Sequence, residues 1–492
     1  MYFFLFCIVT LVLMWFITHL HNIYNHLKEF PAPPIVPVLG HVFDYVDPKK
    51  ALSILTNNLV NHGGVIRQYI GPRKPSLATA NRDFLQFLCR HSKYIGKAKY
   101  YRYLKPWLGE GLLTSDGHQW LSRRKALTSS FTQSGVLRNF VGVFEEKSDQ
   151  LIKEINDLSS DKANVHLIMK RFTLDVFCET AMRVSLSSLA NSADSNYAIS
   201  IESVCEVIQN RMTSFMKNFD FFFQFSSDCT REKKNLAVID GMLHKIIKAK
   251  HQERRQIGNA KERKDMLDLM MEVDIEGKTL SSSELRAHVN SFTFAGYDTT
   301  SSAMSLVLYE IAENPSIQEK LLEEQMQIFS GKLNNASVTY EILHKMAYLD
   351  MVIKETLRLH TIVPCIGKRA TKDLQYEGKT VPAMLNINIC IHAFHHNPNY
   401  FPEPDKFNPE RFADETKIDP FAYIPFGVKP RQCLGKEFAM LEMKCALSKI
   451  IRNFQVVKVP DFQLDLRPKL VLFSANGIWV GFKKRSVTDE NV

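Results

Sequence analysis

The spacing of apolar positions changes several times along the chain. Residues 1–20, MYFFLFCIVTLVLMWFITHL, form an almost unbroken apolar run, with no formal charge before Lys28. A helix of about 20 such residues matches the thickness of a bilayer, so the run predicts a membrane anchor over residues 1–22. PAPPIVPVLG, residues 31–40, follows with four prolines. Proline fixes φ and has no N–H to donate, so residues 23–40 read as a stiff proline-rich hinge between anchor and globule. From about residue 50 to 360 the apolar residues recur at helical spacing. Gly117–Phe131 predicts a helix rich in Trp and Arg. Ser282–Ala312 predicts a long one, with Ser281–Ser283 and Glu284 as start signals. Lys436–Phe454 predicts another. Between Thr361 and Phe412 turns such as Glu377–Gly378 and the stretch FPEPDKFNPERF break the helical period, and a small sheet is expected there. The fold class is mostly α with a small β region. With no internal repeat and no long low-complexity linker after residue 40, residues 41–492 read as one catalytic body.

Composition refines this picture. Of 492 residues, 45% are hydrophobic and 23% charged, which is ordinary for a globular protein with a large core. The formal net charge of +10 is spread out, and its densest run, Lys245–Lys264, is interleaved with Glu253 and Glu262. That run reads as a solvated helix-and-loop face, and no other feature suggests nucleic-acid binding. The nine cysteines lie far apart with no CxxC, so zinc-site spacing is absent. A reducing compartment is expected, with most of the cysteines serving as small buried hydrophobes. The N-terminal run has no basic n-region or small-residue cleavage site, so an uncleaved anchor is preferred over a signal peptide. The basic chain downstream places the body on the cytosolic side.

Four constellations carry candidate chemistry. PFGVKPRQCLG, residues 425–435, surrounds Cys433 with Phe426, Arg431 and Gly435. Taken alone, a lone cysteine is most often a buried structural residue. In KETLR, Glu355 and Arg358 are three apart and share a helix face, which alone is a common surface pair. FAGYDTT, residues 294–300, interrupts an apolar helix with Gly296 and the polar run Asp298–Thr300. Its plainer reading is a kinked core helix whose hydroxyls bond back to the backbone. Trp120 and Arg124 are four apart on one helix face, and the plainer reading is a cationic surface helix.

Taken together and in this order, the four motifs resemble those of the cytochrome P450 superfamily over nearly the whole chain. AYIPF at 422–426 and FAMLEMK at 438–444 look like family 4 of that superfamily, the fatty-acid ω-hydroxylase group, and its insect relatives. The resemblance implies that Cys433 is the axial thiolate ligand of a haem b iron and that Phe426 packs beside the sulfur. A thiolate ligand pushes electron density to iron and favours O–O cleavage. It further implies that Arg431, Trp120, Arg124 and Lys368 face the haem propionates, with Arg369 adjacent to Lys368. Ala295, Gly296, Asp298 and Thr299 meet the pattern A-G-x-D-T. By that match Gly296 lets a flat cofactor approach, Thr299 hydrogen-bonds iron-bound dioxygen or its water, and Asp298 relays protons. Glu355, Arg358 and Arg411 of NPERF become a buried structural triad. Two departures stand out. Many family 4 members have Glu where this chain has Ala295, and that Glu can esterify the haem, so here haem is expected to be non-covalent apart from the Cys433–iron bond. Lys429 stands where the loop usually bulges at a Gly. A non-Gly residue at positive φ costs on the order of 1 kcal/mol. Either Gly427 shifts the turn, or Lys429 meets an acidic redox partner.

The implied activity is that of a monooxygenase inserting one oxygen atom of O2 into an apolar substrate such as a fatty acid, a hormone-like lipid or a xenobiotic. No GxGxxG follows a strand, so electrons are expected from NADPH through a separate cytochrome P450 reductase, with cytochrome b5 as a second donor. The expected location is the endoplasmic reticulum membrane. The Phe-rich SFMKNFDFFFQF, residues 214–225, lines an access channel or touches the bilayer on one reading, and is a buried aromatic helix pair on the other. Two other classes share part of this pattern. A haem isomerase or dehydratase acting on a peroxide is disfavoured by the intact Asp298–Thr299 pair. A non-enzymatic haem- or lipid-binding protein draws support only from Lys429.

Overall fold

Short strands from distant parts of the chain build the main sheet. The computed structural model describes residues 10–485 apart from 12, 13, 16, 19–24, 26, 38, 71–74, 133, 185–192, 215, 258–264 and 332–335. These residues form two compact units, each assembled from separate segments: 1–99, 363–406 and 416–432 in the first, 100–362, 407–415 and 433–492 in the second.

The first unit holds strands β1 (Val65–Gln68), β2 (Ser76–Thr79), β3 (Ile95–Lys97), β4 (Cys365–Ala370) and β5 (Asn386–Cys390) in the order β1-β2-β5-β4-β3. All pairings are antiparallel except β2 with β5, which runs parallel with Leu77 beside Ile387. Leu59, Ile66, Leu77, Phe84, Ile387 and Phe394 close over this sheet as one apolar cluster. A hairpin of Leu374–Tyr376 and Lys379–Val381 turns at Glu377 and Gly378, both at positive φ, as a tight two-residue turn requires. The sheet expected between 361 and 412 is present, but it is completed by β1, β2 and β3, from a stretch whose periodicity reads as helical.

The proline-rich stretch read as a stiff hinge makes specific contacts with the body that follows it. From Phe30 onward the segment is packed onto the first unit: Phe30 is buried, Arg67 N–H donates to Pro31 O at 2.8 Å, and Gly40 bridges to Ile70. The anchor expected over residues 1–22 lies largely outside the described residues. Among the described residues no helix is long and apolar enough to cross a membrane.

The second unit is helical. Its helices that matter here are α1 (Gly117–Thr132), α2 (Val165–Met182), α3 (Ala193–Thr213), α4 (Ser282–Glu313), α5 (Ala347–His360) and α6 (Lys436–Asn453). A three-stranded sheet of Phe454–Lys458, Trp479–Lys484 and Lys162–Asn164 completes it. The helix α4 starts where the sequence says it should. Ser281 and Glu284 form a capping box, each side chain bonding the other's backbone N–H. It ends at Asn314, and Pro315 starts the next helix. Lys250, in the middle of the basic run, is buried and pairs with Asp265, so that run is not wholly a solvated face.

Candidate active site

Between Ala287 and Leu308, α4 is buried at every position except 295, 296, 298 and 299. These are the four positions of the sequence motif. A helix in the middle of a core that is accessible only there faces an interior recess. N-terminal to this stripe the surroundings are aromatic, with Phe294 edge-on to Trp107 at 5.0 Å and Phe292 edge-on to Phe131 at 4.7 Å.

The four residues do different work. Ala295 offers the stripe its methyl group only. Thr299 Oγ1 donates to Ala295 O at 2.6 Å, the back-bonding that polar residues in helices adopt. Its two lone pairs remain available to accept a proton donor. Asp298 is pushed up from the ordinary carboxylate range by burial, and Lys170 on α2 pulls it back down. Gly296 lies against α2. A Cβ placed there would lie 3.3 Å from the Phe177 ring of α2, so its missing side chain lets two helices pack closely.

Cys433 is accessible to solvent, yet burial raises its thiol pKa. A sulfur that is both accessible and deep in protein opens onto the interior, not onto the outer surface. Three groups oppose burial and favour the thiolate: the backbone N–H of Gly435, then Arg124, then Lys436. Gly435 is also the residue that starts α6, so the helix N-terminus lies just beyond the sulfur. Arg124, half-buried on α1, has its pKa lowered by burial and raised by Cys433. Among the described residues no carboxylate lies within ion-pairing reach of Arg124. Trp120, one turn earlier, is buried on the same helix.

The second unit also assembles the predicted triad. Arg358 Nε and Nη2 donate to Glu355 Oε2 and Oε1 at 2.7 and 2.8 Å. Arg411 Nε reaches Oε1 at 3.3 Å, and Asn408 N–H donates to the same oxygen at 2.9 Å. Glu355 and Arg358 are fully buried. The Asn408 donor is invisible in the motif, because it is a backbone group.

In the first unit Phe426 and Arg431 are half-buried. Lys368 lies on β4, where its charge reaches Cys89, while the neighbouring Arg369 points to the other face with its Nε buried and unpartnered. Gly427 takes the left-handed turn at φ 70°, whereas Lys429 is exposed and not at positive φ. The positive-φ position of this loop is therefore Gly427, and Lys429 carries no positive-φ penalty. The non-enzymatic alternative loses its only support.

These residues fit a flat, dianionic, iron-bearing cofactor. An interior thiol with N–H and cationic support suits a soft metal ligand, and an arginine lacking a carboxylate suits an anionic substituent. A mostly helical body with such an interior thiol defines a thiolate-ligand enzyme. Residues 31–478 match the family model described as Cytochrome P450, and the chain belongs to that family. It is 33% identical to "Cytochrome P450 4d2" of Drosophila melanogaster over 93% of this chain and 94% of the relative. It is likewise 33% identical to "Cytochrome P450 4V2" of Mus musculus over 92% and 89%, and 32% identical to "Cytochrome P450 4c21" of Blattella germanica over 87% and 88%. The family 4 resemblance is thus matched by its relatives. Members bind haem through a cysteine–iron bond and act as monooxygenases.

Proposed function

We propose that Cys433 is the cysteine that ligates haem iron, and that the protein hydroxylates an apolar small molecule: R–H, O2, two electrons and two protons give R–OH and water. The observation that carries this is the accessible but deep sulfur of Cys433, supported by the Gly435 N–H and Arg124. Bound haem would supply the redox-active iron at which O2 is reduced. Arg124 and Trp120 would hold propionate oxygens, one by charge and the other through the indole N–H. Ala295 offers no carboxylate for an ester, so the haem is held without a further covalent bond. Asp298 holds a proton at its carboxyl, and the Thr299 hydroxyl, donating to Ala295 O, keeps its lone pairs to accept a hydrogen bond from a proton donor. The aromatic flank of α4 excludes water and favours an apolar substrate, such as a fatty acid, a hormone-like lipid or a xenobiotic. For Phe426, Arg431 and Lys368 the proposal rests on family resemblance alone.

The N-terminal apolar run and the exposed Phe219, Phe221, Phe222 and Phe225 support attachment to the endoplasmic reticulum bilayer. An exposed apolar cluster of this kind marks an interaction surface. The buried aromatic pair considered from sequence does not describe these side chains, although Phe223 is buried against Arg211 at 3.8 Å. NADPH-cytochrome P450 reductase, with cytochrome b5, is the electron source in this reading.

Replacing Cys433 by Ser tests the central claim. The ferrous carbonyl absorbance of the variant is expected to lose the thiolate signature of the parent. An unchanged spectrum overturns the reading. Product formation is expected to require both NADPH and reductase.

A further inference from the structure

Strands β4 and β5 of the first unit carry one cysteine each at one end of their shared ladder. Cys365 opens β4 and Cys390 closes β5, and the antiparallel register makes the two direct partners. Opposed residues of an antiparallel pair project from the same face, with Cβ atoms about 4.5–5.5 Å apart. A disulfide needs about 3.5–4.5 Å between the same atoms, so little movement separates this pair from bonding. Both cysteines are reduced, and the Cys390 thiol is hydrogen-bonded to Cys365. Among the described residues no other two cysteines oppose each other across strands.

The two sulfurs have different surroundings. Cys365 is exposed, whereas Cys390 is 1% exposed and belongs to the apolar cluster over the sheet. The Cys390 thiol is held well above its ordinary pKa, by the hydrogen bond to Cys365 first and by burial second, while the Thr79 backbone N–H of β2 opposes both. A dissolved oxidant therefore meets Cys365 first, with Cys390 directly behind it.

We propose that Cys365 and Cys390 form a peroxide-responsive dithiol, closed by hydrogen peroxide into a cross-strand disulfide and reopened by small thiols. In the first step the Cys365 sulfur attacks a peroxide oxygen. The O–O bond breaks, an S–O bond forms, and one water leaves. The resulting sulfenic acid condenses with a neighbouring thiol. Oxidation of Cys365 also removes the thiol that most restrains the Cys390 proton. The Cys390 sulfur then displaces the oxygen from Cys365, the S–S bond forms, and a second water leaves. The two sulfurs give up two electrons, the peroxide takes them, and both thiol protons end in the waters. Reopening is thiol–disulfide exchange, in which two glutathione molecules become their own disulfide and return two electrons and two protons. A reversible bond of this kind is the form that disulfides take in a reducing compartment.

The test uses the reduced holoprotein, treated with increasing hydrogen peroxide and alkylated before digestion. Mass spectrometry of the unreduced peptides reads a link between residues 365 and 390. In the wild-type protein the link is expected at stoichiometric peroxide, ahead of oxidation at the other cysteines, and is expected to vanish when glutathione is added. Cys365→Ser, a change at the exposed partner, is expected to form no link. A cross-link without strain restricts the unfolded chain, so peroxide is expected to raise the unfolding temperature of the wild-type protein above that of Cys365→Ser treated identically. A link from either cysteine to a different one overturns the proposal, as does oxidation of Cys365 to the sulfinic acid with no link, or no change at either residue. A link that glutathione leaves intact, or that lowers the unfolding temperature against the treated variant, overturns it too.

Discussion

Glu355 shows how much a single side chain can matter when it has no water around it. It accepts from two arginines and one backbone N–H while fully buried. Removing one partner from such a group leaves buried charge uncompensated, at a cost of about 3–5 kcal/mol. Glu355→Ala is therefore expected to abolish or sharply lower the yield of folded haem protein, as read by haem content and thermal unfolding. Glu410 is the control. It pairs with Lys320 at 2.5 Å, but both side chains are about half exposed, and exposed pairs contribute at most about 1 kcal/mol. Glu410→Gln should leave the unfolding temperature nearly unchanged. Arg124 belongs between these limits. A hydrogen bond to a charged group contributes about 1.5–3 kcal/mol, so Arg124→Met is expected to weaken haem retention roughly ten- to a hundredfold, measured by haem titration of the apo-protein.

At the scale of elements, the start of α4 makes a pH-dependent contribution. Glu284 accepts from the Ser281 backbone and hydroxyl and pairs with Arg123, which lowers its pKa from 4.5 to about 2. A depressed carboxyl pKa stabilises the fold above the ordinary value of about 4.5, and that stabilisation is lost as pH falls towards about 2. Ser281→Ala is expected to cost about 1 kcal/mol at neutral pH, and Glu284→Gln should flatten the acid limb of the stability curve. This cap was legible in sequence because all its parts lie within four residues. So were α1 and α6, whose apolar periodicity is local. Strands β1, β2 and β3 were not, because each has three or four residues, and β2 and β3 pair with β5 and β4 from far along the chain. No window on Ser76–Thr79 can reveal Leu77 beside Ile387. The same limit hid Lys170: the stripe 295–299 lies on one helix and could be read directly, whereas its ionic partner comes from another helix with no motif of its own.

For the whole molecule, two features bear on its association with membranes. Phe221 and Phe225 are 66% and 75% exposed, far more than water favours for phenyl rings. If they and the N-terminal run share the work of attachment, deleting residues 1–24 should only weaken co-sedimentation with phospholipid vesicles, and adding Phe221→Ser with Phe225→Ser should abolish it. The other whole-molecule feature is the path of the chain, which leaves one unit for the other after residues 99, 362, 406, 415 and 432. Neither unit can therefore close while the ribosome is still short of the last segments. Strand β2 emerges long before β5, its lateral neighbour, and must wait with an open edge that invites wrong pairing. Contacts between such distant residues also form slowly. Nascent chains stalled before residue 386 are expected to be cut readily by protease within Val65–Thr79, and released full-length chains are expected to resist.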